Sequence, residues 1–109
     1  MNIFLRMMMS VAARRYANFL PRELEADWGA SDNYTVGQVA ASLGRRGEDG
    51  RYVAVAYAGL LAEADYQTVA ASLPLALPYD VAREAFRRAG PWAGRFGPLS
   101  IGINRDASV

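Results

Sequence analysis

The sequence predicts an all-α fold: a compact bundle of four or five short helices that ends in a Gly/Pro-rich tail. Three observations predict it. Apolar residues recur at helical spacing over residues 3 to 20 and again over 81 to 89. A capping box stands at Thr35 and Gln38. Glycine and proline cluster between the periodic runs. At 109 residues the chain has the size of a single domain, 1–109.

The first helix spans residues 3 to 20. Leu5, Met8, Met9, Ala12, Tyr16, Phe19 and Leu20 form one stripe, with Arg6, Ser10, Arg14 and Asn18 on the other side. Pro21 is expected to end it, because the residue before a proline avoids the α region. Phe4, Met7 and Val11 fall near Asn18, off the main stripe. One stripe faces the chain's own core; the second patch needs a different occupant.

Residues 21 to 34 read as a connector, with Glu23, Glu25 and Asp27 ahead of Trp28 and Gly29. Thr35 opens the second helix, Val36, Val39, Ala40 and Leu43 form its apolar face, and Gly44 closes it. Arg45 to Gly50 is a solvated turn. Tyr52 to Ala62 is apolar all round, which describes a central, buried helix. Tyr52, Val53, Val55 and Tyr57 also suit a strand; the Ala and Leu content favours the helix. The helix either continues to Ser72 or restarts near Ala64, which puts 51 to 72 at the centre of the fold. Two prolines break Leu73 to Pro78.

Asp80 is the expected N-cap of a last helix. Val81, Ala85, Phe86 and Ala89 make its buried side, and Arg83, Glu84, Arg87 and Arg88 its wet side. Glu84 and Arg88 stand at i, i+4. Gly90 and Pro91 end it. Residues 90–109 form an irregular tail whose Trp92, Phe96, Leu99, Ile101 and Ile103 are expected to pin it to the domain, with a short strand at 99–103 compatible with its pattern.

Composition removes much chemistry. The chain has no Cys and no His, and all twelve of its basic residues are Arg. Thiolate zinc sites, disulfides, imidazole acid–base catalysis and lysine Schiff bases are therefore excluded. The absence of Cys fits a reducing, cytoplasmic setting. Arg6 interrupts the apolar start, so it is not read as a cleaved signal. No apolar run is long enough for a transmembrane segment. The net charge of +1 gives no global field for nucleic acid.

Carboxylates and Tyr remain as catalytic groups. Glu63 with Asp65, and the Glu23, Glu25, Asp27 row, are the nearest to a paired-carboxylate site, and neither sits on rigid facing elements. A pocket lined by Glu63, Asp65 and Tyr66 would be the mark of an enzyme. No segment has the spacing of a calcium loop or a P-loop. No cofactor and no metal is expected, and the chain is read as non-catalytic. Asn33-Tyr34-Thr35 matches a glycosylation sequon, but Thr35 already serves as a cap.

The run YTVGQVAASLG at 34 to 44, followed by a turn and then Arg51 and Tyr52, is similar to the start of MerR-type helix-turn-helix regulators. Tyr34, Thr35, Val36, Gly37, Val39, Ala40 and Gly44 carry the similarity, over residues 34–61. It implies nucleic-acid contact through Arg45, Arg46 and Arg51. A recognition helix offers polar side chains to base edges, whereas residues 53 to 61 are apolar here. Nucleic-acid binding therefore stands as the alternative function. The whole chain also loosely resembles a family of small proteobacterial proteins with no established activity, through its basic N-terminal helix, Tyr34, Gln38, Val39, Tyr57 and Ala58.

The first helix is the leading functional feature. Residues 1 to 22 hold Arg6, Arg14, Arg15 and Arg22 and no acid. The preferred reading is a non-catalytic protein-interaction module that forms a homodimer, with another protein as the alternative partner. Its contact surface is Phe4, Met7 and Val11, joined by Trp28 or Trp92. A membrane-surface contact through residues 1–20 is the weaker variant.

Overall fold

The computed structural model describes residues 2–48 and 50–89. Its fold is all-α, with five helices among the described residues: α1 (Ile3–Trp28), α2 (Val36–Arg46), α3 (Val53–Leu60), α4 (Glu63–Ala70) and α5 (Tyr79–Arg87). The tail, with the strand expected at 99–103, lies outside the described residues.

α1 starts where Asn2 accepts a hydrogen bond from the Leu5 amide at 2.7 Å. It does not end at Pro21. The helix runs 26 residues, through a buried Pro21, to Trp28. The cost of a missing N–H and a ring against the preceding turn is about 3 kcal/mol. One feature offsets it. Leu24 beyond the proline is fully buried, so the extra turns gain core. Gly29, at φ 89°, stops the helix, and its amide donates to the Glu25 carbonyl at 2.9 Å.

The loop after Gly29 is held by Tyr34. Its hydroxyl donates to the Gly29 carbonyl at 2.7 Å, and its amide to the Leu60 carbonyl at 2.8 Å. The capping box is present: the Gln38 amide donates to Thr35 Oγ1 at 3.1 Å, and the Thr35 amide to Gln38 Oε1 at 3.0 Å. α2 passes Gly44 and ends at Gly47, whose φ of 66° is the left-handed C-cap geometry. Beyond Gly44, Arg45 and Arg46 extend the helix and pair with Asp27 and Glu23 of α1.

Residues 53 to 60 are helical, and all eight are buried. Val53 and Val55 have strand preference, but a helix buried on every side is surrounded by apolar neighbours that decide the matter. α3 packs on α5, α1, α2 and α4. The centre of the fold is narrower than 51 to 72: in α4 only Tyr66 is buried. The chain restarts at Glu63 after an extended Leu61.

α5 begins at Tyr79 with Pro78 as N-cap, so Asp80 lies in the first turn rather than capping it. Proline just outside a helix is preset for that entry. Ala82 and Phe86 are its buried residues, followed by the buried Ala89 just past its end, with Val81 and Ala85 partly covered. Arg83 and Arg87 are half-buried, not on the wet side. Arg83 donates to the carbonyls of Ala58 at 2.9 Å and Leu61 at 2.8 Å. Those carbonyls lie at the end of α3, where no intrahelical donor remains. The Tyr79 hydroxyl also donates to Leu61, at 2.8 Å.

Candidate interaction surface

α1 has two sides with different fates. Met9, Ala12, Ala13, Tyr16 and Leu20 are buried. Opposite them, Ile3 is 84% exposed, Phe4 61%, Met7 55% and Val11 45%. Phe4, Met7 and Val11 follow i, i+3, i+7, so they share one line along the helix. The structure therefore brings these three expected surface residues together and adds Ile3, which the periodicity alone left out. Exposed apolar side chains grouped in this way mark contact surfaces, whereas scattered ones carry no meaning.

Trp28 does not join them. It is 45% exposed but sits at the far end of α1, about 26 Å from Val11 along the helix. Helical rise separates two residues that a connector at 21 to 34 would have let fold back. Trp92 lies outside the described residues.

A recess of about 140 Å³ opens beside the exposed face, between α1 and α5. Arg6, Met9 and Ser10 line one wall, and Val81, Glu84, Ala85 and Arg88 the other. A second recess of about 80 Å³ continues it past Ser10 and Arg88 to Arg14 and Ala89. Arg88 is paired with Glu84 at 2.7 Å, the i, i+4 pair the sequence anticipates. Neither Arg6 nor Arg14 forms a salt bridge among the described residues. The groove has an apolar floor and a cationic edge. The groove residues from α5 were missed because the sequence shows no sign that α5 lies beside this part of α1.

The arginines proposed for nucleic acid are differently placed. Arg45 donates to Asp27 at 2.6 Å, and Arg46 donates to Glu23 while its guanidinium stacks 4.4 Å from the Phe19 ring centre. The buried Ser42 donates to the other Glu23 oxygen at 2.8 Å. Partial burial pushes the Glu23 carboxyl up, but the hydrogen bonds from Ser42 and Arg46 outweigh it and hold the group below its ordinary range. These residues tie α2 to the second half of α1. Arg51 is exposed. α3, which would be the recognition helix, has no exposed residue.

The candidate catalytic groups do not converge. Glu63 and Asp65 are exposed, and the buried Tyr66 donates its hydroxyl to the Leu77 carbonyl at 2.6 Å. No group of three or more acidic residues is placed to hold a metal ion among the described residues. No described helix is long and apolar enough to cross a membrane. The chain matches no protein-family model, no curated protein and no solved structure.

Proposed function

We propose that this protein is a non-catalytic interaction module whose contact surface is the outer face of α1, from Ile3 to Val11. One observation carries the reading. Four large apolar side chains stand together on the first three turns of a helix whose other side already supplies the core. Leaving them in water costs about 25 cal/mol for each Å² of apolar surface that a partner would cover. The mechanism is burial of this face, with arginines at the edge setting orientation.

Self-association is the simplest form of this reading, and solution mass tests it. Light scattering on the full chain and on a Met7→Glu, Val11→Glu double variant gives the comparison. Both positions are exposed, so the variant keeps its helical circular dichroism. A dimer that becomes a monomer supports a homodimer through this face. A dimer of unchanged mass in the variant rejects the face as its seam.

The helix-turn-helix alternative has less behind it. Its recognition helix is wholly buried, and two of its three arginines are held by acids of α1. Absence of any binding to duplex DNA at low ionic strength would close it.

A further inference from the structure

We propose that the partner recognised by the α1 face is an acidic amphipathic helix, seated along α1 with its carboxylates over the groove shared with α5. This rests on the reading of that face as a contact surface and adds the chemistry of the occupant.

The argument is charge complementarity joined to shape. The apolar strip of Phe4, Met7 and Val11 is narrow and helical in period, which suits the i, i+3, i+7 anchors of a second helix. Beside it runs the groove edged by Arg6, Arg14 and Arg88. Among the described residues Glu84 is the one carboxylate lining it, and it is already engaged by Arg88. Arg6 and Arg14 thus present cationic charge with no acid among the described residues to answer it. They are separated by about 12 Å of helical rise, which two carboxylates about two turns apart on a packed helix would match. A second copy of this chain suits the edge less well. Its own α1 would bring the same arginines to the seam and no acid from residues 1 to 22. A lipid surface fits less well too, because the cationic edge encloses a concave floor of Met9, Val81 and Ala85 that a flat layer would leave unfilled.

Edge charges act on selectivity more than on total affinity, so the test reads selectivity. The full chain is titrated, by fluorescence anisotropy, into two labelled synthetic amphipathic peptides of about five helical turns. They share one apolar stripe; one carries Glu at the two flanking positions and the other Lys. The acidic peptide should bind about tenfold more tightly, and the margin should shrink as salt is raised. In an Arg6→Glu, Arg14→Glu variant the preference should reverse in favour of the Lys peptide. Both arginines are exposed, so the variant folds, and the reversal is a gain that a misfolded protein could not give.

Equal binding of both peptides, or no reversal in the variant, overturns the proposal while leaving the apolar contact surface intact. Binding of neither peptide by a chain that is a dimer sensitive to Met7→Glu assigns the face to a second copy and also overturns it. Binding of neither peptide alongside retention on phosphatidylglycerol vesicles, absent on phosphatidylcholine, assigns the face to a membrane and overturns it as well.

Discussion

Gly59 of α3 lies directly against the ring of Phe86 of α5. A methyl group added at Gly59 would stand 2.2 Å from Phe86 Cγ and 2.4 Å from Cδ2. Phe86 is itself fully buried, so its ring has nowhere to turn. The absence of a side chain at residue 59 lets the two helices meet.

Gly59→Ala should therefore destabilise the protein, although alanine is the better helix former by about 1 kcal/mol. Overpacking of this kind costs about 1–3 kcal/mol beyond that gain. Urea unfolding of the single variants and of Gly59→Ala with Phe86→Leu measures it. The double variant should be less unstable than the sum of the two singles, because each change relieves the other. Additive losses would show that the close approach is not the cause.

Arg83→Met should cost about 1–3 kcal/mol, since it leaves the Ala58 carbonyl at the end of α3 without its donor. Leu61 keeps the Tyr79 hydroxyl, so Tyr79→Phe alone should cost less and the pair together more than their sum. Thermal melts of the three variants test the order.

Tyr16 is buried, and its hydroxyl, with the Arg15 side chain and the Gly50 backbone near it, makes no well-formed hydrogen bond among the described residues. Burial pushes its ionisation above the ordinary tyrosine value, and the neighbouring Arg15 guanidinium offsets only part of this. Tyr16→Phe removes an unmet polar group while keeping the ring. It should leave stability unchanged or raise it, by about 1 kcal/mol at most. Denaturant midpoints decide; a clear loss would mean that the hydroxyl has a partner.

Glu23 has a lowered pKa in the folded chain, so the folded state binds its proton less readily than the unfolded state does. Its contribution to stability is present above the ordinary glutamate range and is lost as pH falls through the folded value. The tie between α1 and α2 should therefore weaken only in acid, as pH falls below the ordinary glutamate range. Glu23→Gln should be less stable than wild type near neutral pH, with the difference closing towards acid. Melts across that range measure it, and a constant gap would remove Glu23 as the source.

The core stripe of α1, the capping box, the buried 53 to 60 segment and the Glu84–Arg88 pair are all legible in the sequence, because each depends on neighbours within two helical turns. Pro21 misled for the same reason. Local preference ends a helix there, while the burial of Leu24 and the pairing of Glu23 with Arg46 act across more than twenty residues. Periodicity exposed Phe4, Met7 and Val11 as surplus apolar residues. It had no means of placing α5 beside Arg6 and Arg14, so the groove became visible only in three dimensions.

That α1 continues through Pro21 has a consequence for how this protein can change over time. None of the side chains from Phe4 to Val11 on its outer side enters the core, whereas the inner side and the Glu23 and Asp27 ties hold the bundle together. Substitutions on the outer side can drift towards a new partner without threatening foldability, and inner ones cannot. One rod thus carries a face that folding constrains and a face that folding leaves free, half a turn apart.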